Sequence, residues 1–345
     1  MDIIRLTGST RYRLKTAAML GRTTASVCLR RLLRGRRNAS WNFMTELSTE
    51  IARRQLMQAL SMNNVQEARG YLDSFVVESR ATASVNVTPV VQPNFKGSWI
   101  APKQGSAELV VLYLHGGGYS FYPRGFYDNL GAMLAIAANA KIFALDYRLT
   151  PEHRFPAQLN DAVACYEWLI GTGVAPERLV VIGDSAGGNL TLALLLSLRD
   201  SNRTLPALAV CLSPATDFAP TAIELSKAEM DWITPQMAVQ WADWFCAPEE
   251  RSNPLVSPVN ADLKGLPPIY IQAGGNELLL PGIQMFVERA KQQDADVTLE
   301  VWPEMNHDFQ AFGFDARQSA DALRRISEVI AQRIPREAEK TNSAL

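Results

Sequence analysis

The chain has 345 residues, 47% hydrophobic and 20% charged, which supplies a sizeable core and excludes a disordered or fibrous polymer. A net charge of -1 leaves no overall basic field to recruit phosphates, so no nucleic-acid partner is expected. Cys28, Cys165, Cys211 and Cys246 lack C-x-x-C spacing, which argues against a zinc centre or a disulfide framework and for reduced, buried thiols.

The N-terminus is locally basic. Arg5, Arg11, Arg13, Lys15, Arg22, Arg30, Arg31, Arg34, Arg36 and Arg37 are opposed only by Asp2, and no apolar run there can cross a bilayer. Three readings fit: the solvated face of a cap helix, an arginine-rich transit peptide, or a basic amphipathic helix lying on anionic lipid. The first is favoured, because Trp41-Asn42-Phe43-Met44 leads into helical spacing at Leu47, Ile51, Leu56 and Leu60 without a clear cleavage site. A cytoplasmic location is expected, with organellar targeting and peripheral membrane association left open.

After Gly70 the pattern turns strand-like. Ala83, Val85 and Val87 alternate with polar residues as in a half-buried antiparallel edge strand, and Leu109 to Leu114 reads as a fully buried strand. It runs into His115-Gly116-Gly117-Gly118-Tyr119, a glycine loop able to turn bare backbone N–H groups toward an oxyanion. From there strands near 141–146, 179–183, 208–212, 268–273 and 297–301 alternate with helices near 125–138, 157–170, 186–199, 281–293 and 313–333. That order predicts an α/β fold with a mostly parallel central sheet and helices on both faces.

The fourth of these strands in chain order, Leu179-Val180-Val181-Ile182, ends in Gly183-Asp184-Ser185-Ala186-Gly187, a G-x-S-x-G turn from strand to helix that lifts the serine into an exposed, strained position. A serine hydroxyl is hardly ionised at neutral pH and needs a base, itself oriented by a third group. Only three histidines are present. His115 belongs to the glycine loop and His153 to the proline-bounded turn Pro151-Glu152-His153-Arg154-Phe155-Pro156, which leaves His307, on the loop after the strand Val297-Thr298-Leu299-Glu300-Val301. The acid is expected between serine and histidine in the chain, and Glu277, just beyond the strand Pro268 to Ala273, is the candidate. Asp308 and Glu304 rank below it, because a neighbour in sequence rarely curls back to the imidazole Nδ1. Between the strands at 208–212 and 268–273 lies an insertion carrying Met230, Trp232, Ile233, Met237, Trp241, Trp244 and Phe245 at roughly helical spacing.

These motifs, with Asp146-Tyr147-Arg148-Leu149-Thr150-Pro151-Glu152 and the closing His307-Asp308-Phe309, resemble the hormone-sensitive-lipase-like esterases of the α/β-hydrolase fold over roughly residues 109 to 310. The resemblance implies Ser185 as nucleophile, His307 as general base and acid, Glu277 as orienting carboxylate, and the N–H groups of Gly116, Gly117 and Ala186 as oxyanion hole, with Gly118 allowing the loop to pack. Glutamate departs from the family's usual aspartate. By the same resemblance residues 1–70 form a helical cap segment with an insertion at about 217–255, over a catalytic domain of 71–335 and a frayed polar tail at 336–345. The cap completes an apolar pocket built partly from Tyr119, Phe121, Tyr122, Trp232 and Trp241. The reading implied is a serine carboxylic-ester hydrolase acting on small to medium apolar esters, with no metal and no cofactor. Lactone or amide hydrolysis and a non-catalytic ligand-binding role remain as alternatives, and oligomeric state is open, with a homodimer among the options.

Overall fold

Short runs of β-branched and aromatic residues build the centre of the molecule. The computed structural model describes residues 3–104, 108–122, 124–219 and 231–334; Met230, the 220–230 part of the insertion and the tail from Arg336 lie outside the described residues. The eight-stranded sheet contains β3 (Val85–Val91), β4 (Lys96–Pro102), β5 (Leu109–Leu114), β6 (Ala140–Asp146), β7 (Leu179–Asp184), β8 (Leu208–Leu212), β9 (Ile269–Gly274) and β10 (Val297–Trp302), in the order β10-β9-β8-β7-β5-β6-β4-β3. Strands β5 to β10 pair in parallel, and β4 and β3 add an antiparallel edge beside β6. All residues of β7, β8 and β9 are buried, as a parallel strand covered on both faces requires.

Helices α5 (Arg124–Ala138) and α10 (Arg317–Arg333) cover one face of this sheet; α6 (Ala157–Gly171), α7 (Ala186–Asp200) and α9 (Leu280–Gln292) cover the other. The chain leaves β5 toward β6 on one side and returns to β7 on the other. The C-terminal ends of β5 and β7 therefore lie side by side at a switch point, with Leu114 registered on Gly183. Open parallel sheets place their crevice there.

The edge strand differs from its expected pattern. Val85 is buried, but Val87 is exposed and Ala83 belongs to the short helix α4 (Arg80–Ala83), because β3 has a neighbour on one side only. Three N-terminal helices, α1 (Thr10–Arg34), α2 (Phe43–Leu60) and α3 (Val65–Leu72), pack on one another, and β1 (Ile3–Leu6) pairs antiparallel with β2 (Phe75–Glu78). Each of the three helices is N-capped by a side chain accepting from its first turn: Ser9, Asn42 and Asn64. In the insertion, α8 (Pro235–Phe245) starts with Thr234 as N-cap and proline at N1. Its Met237 and Trp241 join Ile233, Phe121, Leu278 and the α2 and α3 residues Ala59, Ala68, Tyr71 and Leu72 in one buried cluster. Burial of each such large side chain contributes roughly 1.5–3 kcal/mol.

Cys165, Cys211 and Cys246 are free and buried as expected; Cys28 is free but exposed, since it lies on the outer face of α1. Among the described residues no helix is long and apolar enough to cross a membrane.

Candidate active site

Four strand ends supply the site. Beyond β7, Ser185 adopts φ 53° and ψ -116° at the start of α7, a left-handed conformation costly for a side-chain-bearing residue. Its backbone is held on both sides: its N–H donates to the Leu212 carbonyl at 2.8 Å, and its own carbonyl accepts from Ala215 at 3.1 Å. The reversal depends on Gly183 and Gly187. A Cβ on Gly183 would stand 2.2 Å from the Gly187 carbonyl oxygen, and one on Gly187 would stand 1.9 Å from that of Leu114.

Ser185 and His307 meet across 122 positions of sequence, Oγ to Nε2 at 2.9 Å. His307 is 1% exposed, and burial pushes its imidazole down to about 3, so it stands as the free base. Its loop is pinned from the insertion: Asp231 accepts from the His307 N–H at 3.0 Å, and the Trp232 indole N–H donates to the His307 carbonyl at 2.5 Å. The N-terminal helices hold the same loop, through Trp41 Nε1 donating to the Glu304 carbonyl and Asn306 Nδ2 donating to Thr49 Oγ1, both at 2.7 Å.

Glu277 is buried in the same region. One carboxylate oxygen accepts from Ser213 Oγ at 2.6 Å and from the Gly274 N–H at 2.7 Å. Its other oxygen and the Nδ1 of His307 each lack a hydrogen-bond partner, and no hydrogen bond joins the two residues among those described. Burial, only partly offset by those two donors, pushes the Glu277 carboxyl up to about 8. Asp308 does curl back, helped by a left-handed φ of 47°, but its carboxylate reaches Nε2 at 3.2 Å and not Nδ1. Burial and the nearby Asp184, Glu277 and Asp231 charges hold Asp308 well above the usual carboxylate range. Glu304, the other rival, offers its backbone carbonyl to Trp41.

The glycines of the loop are not equivalent in their surroundings. Gly116 is absent from the cleft lining and packs against Asp184, whose Oδ2 would lie 2.2 Å from a Cβ there. Gly117 (φ 93°) and Gly118 (φ 61°) line the cleft beside Ser185. Their N–H groups, like that of Ala186, engage no backbone acceptor among the described residues. The two flanking glycines differ in surroundings: the Asp184 carboxylate occupies the space at Gly116, while the Trp241 ring lies on Gly118, 2.4 Å from where a Cβ would stand.

The cleft is largely apolar, with Ala52, Leu56, Leu72, Phe75, Phe121, Phe126, Trp232, Ile233, Trp241 and Phe312 in its walls. A second compartment shares Gly118, Ser185, Ile233 and Trp241 with it and adds Tyr119 and Ala186. Of the expected pocket residues, Phe121, Trp232 and Trp241 line the first space and Tyr119 the second. Tyr122 lines neither; its ring stacks on His115 at 3.9 Å, because His115 is sandwiched between Tyr122 and Tyr147 beneath the loop. Ser213 and Asp231 were not singled out by the sequence. Their only signals are a serine at a strand end and an isolated acid beside Trp232-Ile233. Among the described residues no group of His, Cys, Asp and Glu is arranged to hold a metal ion.

A family model described as the alpha/beta hydrolase fold matches residues 111–311. The chain belongs to the α/β-hydrolase family. An acetyl-hydrolase from Streptomyces hygroscopicus is 38% identical to this hydrolase over 211 residues, 61% of this chain and 70% of that one. An esterase from Acinetobacter venetianus is 29% identical over 248 residues, 71% of this chain and 82% of its own. The crystal structure of an esterase/lipase from an uncultured bacterium is similar with a TM-score of 0.79 at 30% identity, covering 86% of this chain and 100% of the other. That of an esterase from the bacterial hormone-sensitive lipase family gives 0.71 at 31% identity, covering 92% and 98%. Within the α/β-hydrolases the chain is a hormone-sensitive-lipase-like, carboxylesterase-type hydrolase.

Proposed function

We propose that this α/β-hydrolase cleaves small to medium apolar carboxylic esters through an acyl-enzyme on Ser185. The observation that carries the reading is the 2.9 Å approach of Ser185 Oγ to a neutral, buried His307 Nε2 at the floor of an apolar cleft. In this mechanism Oγ attacks the ester carbonyl while Nε2 takes its proton, and the N–H groups of Gly117, Gly118 and Ala186 receive the developing oxyanion. His307 then gives the proton to the departing alkoxide, and a water molecule, deprotonated by the same nitrogen, releases the acid and restores Ser185.

The proposed role of Glu277 is to orient His307 and balance the transient imidazolium. Its support is complementarity: the carboxylate has one unpaired oxygen, and the imidazole has one unpaired nitrogen. Relatives named acetyl-hydrolase and esterase favour ester over amide or lactone cleavage. An intact serine–histidine contact disfavours a purely ligand-binding role. Ser185→Ala should lower turnover of p-nitrophenyl butyrate by several orders of magnitude, about 10⁴-fold or more, with the fold intact by circular dichroism. Near-full turnover by that variant would end the proposal.

A further inference from the structure

Helix α1 is built inside out for a surface helix. Its buried stripe is Thr16, Met19, Thr23 and Val27, with Thr16 Oγ1 hydrogen-bonded to Ser74 Oγ at 2.6 Å and Thr23 Oγ1 to the Met19 carbonyl at 2.7 Å. The leucines point the other way: Leu14, Leu29, Leu32 and Leu33 are 66%, 58%, 82% and 71% exposed. At about 100° per residue, Leu14, Ala18, Ala25, Leu29 and Leu32 fall within a sector of roughly 60°, on the opposite side of the helix from the buried stripe.

Lys15 and Arg22 border this apolar strip, within a strongly basic segment. Residues 3–42 carry ten Arg and Lys side chains and no Asp or Glu, in a chain whose total charge is -1. Arg5, Arg11, Arg30, Arg31 and Arg37 are engaged with Glu78, Glu67, Glu46 and Glu50. Arg13, Lys15, Arg22, Arg34 and Arg36 form no ion pair among the described residues.

We infer that the outer face of α1 docks on an anionic lipid surface, its leucines entering the interface and its free cations meeting the headgroups. Charge complementarity selects that occupant. A second copy of the chain would bring two uncompensated cationic faces together, and a nucleic acid would leave the exposed leucine ridge without an apolar partner. The placement bears on access to the cleft, because α2, on which α1 packs, contributes Ala52, Gln55 and Leu56 to the cleft wall. Lipid binding is read without ester turnover, so this inference stands or falls apart from the proposed reaction.

The test is co-sedimentation of the full chain with vesicles of phosphatidylcholine alone or with phosphatidylglycerol added. A second reading comes from an environment-sensitive fluorophore on Cys28, which is exposed on this helix while the other three cysteines are buried. Binding is expected only to the anionic vesicles, to weaken with salt, and to shift the probe to the blue. Arg13→Gln with Arg22→Gln should weaken binding by roughly twenty-fivefold, at about fivefold per cation. Leu29→Asn with Leu32→Asn should weaken it by about tenfold or more. All four side chains are exposed, so unchanged thermal unfolding should accompany both results. Equal binding to both vesicle types, or none to either, would overturn the inference. So would a dimer in sedimentation velocity that the leucine variants dissociate, which would assign the face to a second copy.

Discussion

Replacing Asp231 with asparagine perturbs the seam where the insertion meets both loops of the proposed acid–base pair. The Asp231 side chain is 1% exposed and accepts three backbone N–H groups: Trp232 at 2.8 Å, His307 at 3.0 Å and Leu278, next to Glu277, at 2.7 Å. Asparagine keeps the shape but has one acceptor oxygen. Turned with that oxygen toward Trp232 and His307, it sets its NH₂ against the Leu278 N–H; turned the other way, it strands two amides. At least one buried N–H is thus orphaned, which costs about 1–3 kcal/mol. With an unfolding entropy of about 2.1 cal/mol/K per residue, a chain of this length loses ~1–4 °C in Tm. Because the lost bonds position His307 and Glu277 rather than touch substrate, kcat should fall by about 10- to 100-fold with KM little changed. The assay pairs Tm with kcat and KM for p-nitrophenyl butyrate and with the rate of Ser185 labelling by a fluorophosphonate. Labelling should slow in proportion to kcat. A variant with lowered Tm but unaltered kcat and labelling would make Asp231 a structural tie only, and no change in either would refute the reasoning about its amide bonds.

Glu277 gives a pH dependence of opposite sign for stability and rate. Its folded carboxyl is raised to about 8, so its contribution to stability is complete below the ordinary carboxylate range and is lost as pH rises through 8. The ionised form needed opposite an imidazolium appears only around the upper end of that range, so Tm should decline from the ordinary carboxylate range up to about pH 8 and then level off, while kcat/KM climbs between pH 7 and 9. Glu277→Gln should abolish the climb, flatten the Tm profile on that side and lower kcat by about 10²- to 10⁴-fold, as read from parallel pH–rate and thermal-melt series. Gly118→Ala should force the Trp241 ring to move, since the added Cβ would lie 2.4 Å from it, and should lower kcat/KM by about 10- to 100-fold with a change in tryptophan emission. Adding Trp241→Ala to that variant should recover part of the lost stability, and failure to do so would point to strain in the loop backbone alone.

The sheet and the serine–histidine contact were legible because their signals are local. Apolar runs such as Leu179 to Ile182 are long enough for a buried strand and too short for a helix, and glycines at 183 and 187 are required by contacts under 2.5 Å. Which glycines of the loop line the cleft was not legible. Three consecutive glycines carry no side chain to tell them apart, and their surroundings are set by Asp184 and Trp241, distant in sequence. Strands β1 and β2 escaped because each has four residues and they pair some seventy positions apart; β4, with Gly97 and Ser98 in its middle, gave no clean alternation. The orientation of α1 was hidden for a different reason. Helical periodicity would bury leucines, and here buried threonines satisfied by hydrogen bonds take their place. Asp231 and Ser213 act by accepting or donating to backbone groups far along the chain, which no sequence spacing encodes.

Intact-mass spectrometry of the protein quenched during turnover of p-nitrophenyl butyrate, followed by peptide mapping, tests the proposed covalent step most directly. One butyryl group per chain on the peptide containing Ser185, absent from Ser185→Ala, is the expected result. Sustained turnover with no acyl adduct, or an adduct on another residue that survives the Ser185→Ala substitution, would contradict it.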